Sequence, residues 1–273
     1  MSERVPVEVD DGVAHVRMNR PEKMNALDTD MFDGILAAAD RIRADVSVRA
    51  VVLSGEGEAF SAGLDVASLG QIATGELNPE SDSIQAATRD LSRDGANRAQ
   101  QLAWAWHELP VPVIAAVHGA AYGAGLHIAL GADIRFVAPD ARLAFVEVTW
   151  GLVPDLSGTQ SLRRLVSLDV AKKMIFSGEV VDGIKAVAMG LGTELSDNPV
   201  EDALAYARVV AQRSPDAVRA AKALLNDSVL VPLAEGLAAE MSASAGLMGK
   251  PNQIESVMSK LQKRPAGFAD PEL

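Results

Sequence analysis

Apolar and polar residues alternate from Val5 to Val9 and again from Val13 to Met18, with Asp10-Asp11-Gly12 between the two runs. Period-two alternation on either side of such a turn predicts a β-hairpin. A polar loop over residues 19–27 follows. Asp28 then opens a helix whose Met31, Ile35, Leu36 and Ala39 share one face. Residues 49–54 (Arg-Ala-Val-Val-Leu-Ser) read as a buried strand, and a turn at 55–58 leads through Phe60–Asp65 into a short helix. Between about Gly70 and Gly95 the periodicity lapses into polar, structure-breaking residues, which predict an exposed segment over a pocket. A helix carrying Trp104 and Trp106 is expected from about Ala96 to Glu108.

The next stretch, Leu109–Arg135, organises the chain. Val111–Val117 is an apolar, β-branched run broken early by Pro112 and predicts a short buried strand. A Gly/Ala turn spans Gly119–Gly125. Leu126, Ile128, Ala129 and Leu130 then follow at a spacing that suits a buried helix, and Ile134–Val137 is a second apolar run. A helix entered through small residues presents free backbone N–H groups and the positive end of its dipole, so the turn 122–125 is a candidate site for negative charge. The same glycines also suit close helix–sheet packing. No Asp, Glu, Lys or Arg occurs from Leu109 to Ala132, but Pro110, Pro112, the glycines and two histidines argue against a membrane span. The spacing fits neither the dinucleotide fingerprint nor a P-loop, and the chain has no Gly-x-Ser-x-Gly nucleophile motif.

Strand-like residues 142–146, the run Glu147–Asp155 and a helix starting near Ser157 come next. After Asp182 the pattern is mainly helical, with Asn198-Pro199 and Ser214-Pro215 marking two helix starts. The pattern divides the 273 residues into an α/β core, 1–197, and a region of three or four helices, 198–273. A net charge of −12 argues against nucleic acid or an anionic membrane as the main partner, and leaves room for an anionic ligand in a local patch. With no cysteine, disulfides, thiolate metal sites and a cysteine nucleophile are excluded. The first twelve residues lack the apolar core of a signal peptide, so a cytoplasmic location is expected.

Four segments, in this order and spacing, resemble the enoyl-CoA hydratase/isomerase (crotonase) superfamily: Asn-Arg-Pro-Glu-Lys-Met-Asn-Ala-Leu at 19–27, Phe-Ser-Ala-Gly-Leu-Asp at 60–65, His-Gly-Ala-Ala-Tyr-Gly-Ala-Gly at 118–125 running on to Ala132-Asp133-Ile134, and Gly-Leu-Val-Pro-Asp-Leu-Ser-Gly-Thr-Gln at 151–160. The resemblance covers nearly the whole chain. It implies a crotonase-like spiral of ββα units with a C-terminal α-helical trimerisation region, assembled as a homotrimer or a dimer of trimers. It implies an acyl-CoA thioester substrate, with coenzyme A present only as part of that substrate, no other cofactor and no metal.

By family position, the backbone N–H groups of Leu64 and Ala124 form an oxyanion hole for the enolate that arises beside a thioester; one such donor is typically worth about 10²–10³ in rate. Hydratases of the family use two glutamates. Glu147 matches the second, while the first position holds His127, which can act as acid or base or can be satisfied inside the pocket. Asp155 stands where dienoyl-CoA isomerases carry the partner of an acidic pair, so Glu147 and Asp155 together imply a shift of a double bond; Asp155 also suits the cap of the helix near Ser157. The alternatives are an enoyl-CoA hydratase using Glu147, a thioester or carbon–carbon hydrolase, and a CoA-binding member with little turnover. Family position puts Lys23 near the CoA phosphates, and Ala62, Leu64, Asp65, Val66 and Ala67 along the nucleotide. Lys263, Arg264 and Phe268 in the tail are candidates for CoA of a neighbouring subunit or for solvent and interface.

Overall fold

A computed structural model describes residues 3–65, 70, 74 and 91–271. The hairpin forms as β1 (Val7–Asp10) and β2 (Val13–Met18), with Asp10 opposite Val13. Asp11 and Gly12 both take positive φ, 46° and 78°, the geometry of the two-residue turns that match strand twist. Asp28 caps α1 (Thr29–Ala44): its Oδ1 accepts from the Met31 N–H at 2.9 Å. The buried stripe of α1 runs through Met31, Ile35, Ala38, Ala39 and Ile42, so the apolar face drifts past the half-buried Leu36. β3 (Ala50–Gly55) is buried at every position. The short helix expected after Asp65 and most of the polar segment 70–95 lie outside the described residues.

α2 (Gln101–Glu108) starts later than the periodicity predicts and buries Trp104 and Trp106. The charge-free stretch then divides into three elements: β4 (Val113–Val117), β5 (Ala120–Tyr122) and α3 (Ala124–Gly131). The Gly/Ala turn of the sequence reading thus contains a strand, and the helix begins two residues earlier than its first large apolar side chain suggests. β6 (Ile134–Val137) and β7 (Arg142–Ala144) follow, then a 3₁₀ turn over Glu147–Trp150 and α4 (Gly158–Leu162). Thus β4–β5–α3 and β6–β7–α4 repeat one plan. The first strand of each unit enters a six-stranded sheet, the second enters a three-stranded sheet, and a helix closes the unit. α5 (Leu168–Ser177), β8 (Val181–Asp182), α6 (Gly183–Met189) and β9 (Glu194–Leu195) complete this part. The large sheet has the order β1-β2-β3-β4-β6-β9, parallel except for the hairpin, and the small sheet is β5-β7-β8. Parallel strands covered on both faces explain the unbroken apolar runs of β3 and β4.

Four helices end the chain: α7 (Pro199–Ala211), α8 (Pro215–Ser228), α9 (Leu233–Leu247) and α10 (Pro251–Leu261). α7 lays Ala203, Ala207 and Ala211 on Val13, Ala50, Val52, Ile114, Ala116 and Phe136, so the helical region begins on the sheet's second face. α8 is pinned by Lys222, whose Nζ lies 2.8 Å from Asp133 Oδ2 and bonds to the carbonyls of Trp106 and Val111. Among the described residues no helix is long and apolar enough to cross a membrane.

Candidate active site

The loop after β3, which carries Leu64, is held by residues of the 19–27 loop. Asn25 is fully buried; its Nδ2 donates to Glu56 O and Ala59 O at 2.9 and 2.8 Å, and its Oδ1 accepts from Arg20 N–H at 2.8 Å. Ser61 Oγ donates to Asn25 O, and Gly63 N–H donates back to Ser61 Oγ. Arg20 reaches Asp65 Oδ2 at 2.6 Å and lies 3.4 Å from Asp28 Oδ2. Leu27 forms a parallel bridge with Leu64 in which Leu27 N–H donates to Gly63 O and Asp65 N–H to Leu27 O. The bridge uses the groups on either side of Leu64 and leaves the Leu64 N–H pointing the other way.

Facing that loop is the start of α3. Gly63 (φ 85°) packs so closely on this turn that a Cβ would come within 2.5 Å of Tyr122 O and 3.5 Å of Ala124 N. The Ala124 N–H is the first of the helix and has no intrahelical acceptor. Among the described residues, neither the Leu64 nor the Ala124 N–H donates to a protein acceptor. Both residues line one cavity of about 340 Å³, together with Ala62, Tyr122, Val146, Glu147 and Trp150. Glu147 stands at its wall: a Cβ on Gly123 would be 3.3 Å from Glu147 Oε1, so this carboxylate abuts the helix turn. Trp150, 56% exposed, and Leu152 form the cavity's apolar mouth. The cavity therefore combines two unspent N–H donors, one carboxylate and an apolar mouth. That set can stabilise an oxyanion and move one proton beside it.

His127 is completely buried on α3 and does not line the cavity; its Nε2 lies 3.0 Å from Glu147 Oε1. Asp155 is exposed and also absent from the cavity wall. It does not cap α4 either: Ser157 holds that position, with φ 62° and no side-chain capping bond. Lys23 is exposed on a 3₁₀ turn (Pro21–Lys23), Ala62 lines the cavity, and Asp65 is half-buried against Arg20. Val66 and Ala67 lie outside the described residues. Phe268 belongs to a separate, larger cleft of about 840 Å³, with Arg49, Arg213, Lys260 and Arg264, beside the hairpin turn at Asp11 and Gly12. Its carbonyl accepts from Arg49. This cleft shares no residue with the cavity that Leu64 and Ala124 line.

Sequence reasoning missed Arg20 and Asn25. Their signal was present, as two polar residues inside a short loop, but their partners lie on the chain after β3 and are visible only once the loops meet.

The enoyl-CoA hydratase/isomerase family model matches residues 8–271. The chain is 34% identical over 256 residues to the 2,3-dehydroadipyl-CoA hydratase of Escherichia coli (strain K12), covering 92% of each. It is 31% identical over 264 residues to the mitochondrial methylglutaconyl-CoA hydratase of Homo sapiens, covering 94% of this chain and 74% of the relative. The enoyl-CoA hydratase of Bacillus anthracis superposes with a TM-score of 0.86 at 26% identity, over 98% of this chain and all (100%) of that one. The ββα spiral, its C-terminal helices and a family match across nearly the entire sequence agree: the chain belongs to the enoyl-CoA hydratase/isomerase family, and is an acyl-CoA enzyme.

Proposed function

We propose that the chain adds water across the 2,3 double bond of a 2-enoyl-CoA. The observation that carries this reading is the single cavity holding the free Leu64 and Ala124 N–H groups and the Glu147 carboxylate. The thioester oxygen is proposed to sit between the two amides. Glu147 takes a proton from water as the water oxygen bonds to C3, and the π electrons move to the thioester oxygen. The enolate then collapses, and C2 recovers the proton from Glu147. Atoms and charge balance with one carboxylate and one water, and the only coenzyme is the coenzyme A of the substrate.

The second reading is a double-bond shift. A carboxylate that takes a proton from one carbon can return it to another, so Glu147 alone is sufficient. The Glu147–Asp155 pair favoured by spacing has weaker support, because Asp155 is exposed and off the cavity wall. Relatives bearing hydratase names weigh on the same side.

The deciding experiment follows 2-enoyl-CoA by loss of its conjugated absorbance, and 3-enoyl- and 3,5-dienoyl-CoA by gain of conjugation. Glu147→Gln is expected to lower hydration by about 10²–10⁴. Asp155→Asn should stay within a few-fold of the parent. Loss of a dienoyl signal in both variants, without hydration, would replace this reading by the paired-carboxylate isomerase.

We also propose assembly as a homotrimer or a dimer of trimers. The support is α9, a fifteen-residue helix with no buried residue, on which Leu233, Leu237 and Met241 are 78%, 55% and 72% exposed.

A further inference from the structure

We propose that His127 is a positioning residue that acts through Glu147, orienting its carboxylate with a proton held between the two side chains. This rests on the reading of Glu147 as the proton-transfer group. Three observations carry it. First, the imidazole is shut away from solvent and from the cavity, so it cannot reach the substrate. Second, Nε2 lies 3.0 Å from Glu147 Oε1, at hydrogen-bond distance though not aligned as one. Two bare lone pairs at that separation repel, so the contact requires a proton on one partner. Glu147 Oε2 is cut off from solvent without a partner, which leaves Oε1 as the oxygen that meets the cavity. The atom His127 touches is thus the atom that does the chemistry.

Third, the ring is built into place. Phe145 packs on it, with ring centroids 5.4 Å apart, and the Gly158 backbone closes the other side. A Cβ on Gly158 would come within 2.6 Å of Cε1, 2.8 Å of Nε2 and 2.9 Å of Nδ1. Neither ring nitrogen has an aligned hydrogen-bond partner among the described residues. An apolar side chain would fill this space without that desolvation cost, so a packing role does not account for a histidine. Other charged groups nearby are engaged elsewhere. On α2, His107 is held by Arg164, and Glu108 by Ser92 and the Asp94 N–H; on β5, Tyr122 OH accepts from Arg142; on β6, Arg135 bonds to backbone carbonyls. α4 carries no titratable group. Among the described residues, Glu147 is the charged group that His127 faces.

The test compares His127→Leu and His127→Gln for hydration kinetics and melting temperature. His127→Leu removes the polar contact and fills the space. It should lower kcat roughly tenfold or more, with KM within about twofold and melting unchanged or raised. His127→Gln retains an N–H that can meet Oε1 and should recover kcat to within about threefold of the parent. Should His127→Leu fail to fold, Gly158→Ala serves instead: it keeps every titratable group, displaces the ring, and should show the same kcat loss at unchanged KM. Parental kcat in His127→Leu, or a loss that Gln does not repair, overturns the inference and leaves a packing histidine. To separate this from the hydration reading, deuterium uptake at C2 of a saturated acyl-CoA is followed in parallel. A parent that exchanges C2 protons without hydrating sinks the hydratase reading alone, and the panel is then scored on exchange. A parent that does neither overturns both.

Discussion

Asn25 has its backbone in the left-handed region (φ 54°) and its side chain in no contact with solvent. Each of its amide hydrogen bonds ends on the loop that carries Leu64 or on the Arg20 turn beside it. Replacing it with Ala strands the buried Ala59 carbonyl, at about 1–3 kcal/mol, and leaves the part-buried Glu56 carbonyl and Arg20 N–H unpaired at a smaller cost. Asn25→Ala should therefore lower the melting temperature clearly and depress kcat more than its KM, because the Leu64 donor loses its support; calorimetry and steady-state kinetics read the two effects. Leu64, Ala124 and Glu147 stood out as candidates because the glycine turns and the acidic residue fall in recognisable motifs, and the fold brings the three to one cavity. The Asp155 pairing was not settled by spacing: eight residues with Gly151 and Pro154 between them permit convergence, and Asp155 is exposed and off the cavity wall. His127 was readable as a departure from the pattern, yet its burial behind Glu147 depends on Phe145 and Gly158, which no local pattern joins to it.

Among the elements, α2 shows how a helix can be held by a histidine that must stay neutral. Arg164, just beyond α4, donates to His107 Nε2 at 2.7 Å and stacks over Trp104. Burial, then the neighbouring Arg164 charge, lowers the His107 pKa from 6.5 to about 4. In the unfolded chain the imidazole takes a proton below 6.5, while in the folded chain it resists until about 4. The unfolded state therefore binds more protons in this window, and stability falls as pH drops from 6.5 toward 4. His107→Gln, which cannot titrate, should show a shallower fall of melting temperature with acid than the parent over this range. Element types were largely readable from periodicity. Boundaries were less so: β5 hid inside a run of glycine and alanine, because parallel pairing to β7 imposes a strand where local preference is weak.

Across the whole molecule, the contrast is between a core covered on both faces of its sheet and a C-terminal end whose apolar residues face outward. α10 repeats the pattern of α9, with Ile254, Val257 and Leu261 exposed. A surface of this kind on a chain of net charge −12 calls for a partner. Leu237→Glu should shift the sedimentation profile toward monomer while leaving the far-ultraviolet circular dichroism intact. A parent that sediments as a monomer would remove the oligomer proposal. The run of C-terminal helices was readable from their pattern and capping pairs, but their anchoring was not. Lys222 and Asp133 are far apart in sequence, and neither stands out until α8 folds back on the start of β6.

The free amides of Leu64 and Ala124 have a consequence for how such a molecule can change. Among the described residues neither N–H is spent on the fold, since the Leu27 bridge takes the groups on either side of Leu64 and the helix leaves its first N–H unclaimed. The groups proposed to carry the negative charge therefore impose no demand on which side chains stand at these two positions. Mutation can resize the cavity at 64 and 124 while the backbone donors persist, and a different acid or base can be tried at 147 against the same pair of amides. A lineage built this way can exchange its proton chemistry piece by piece without first losing, and then having to reinvent, the part that lowers the barrier most.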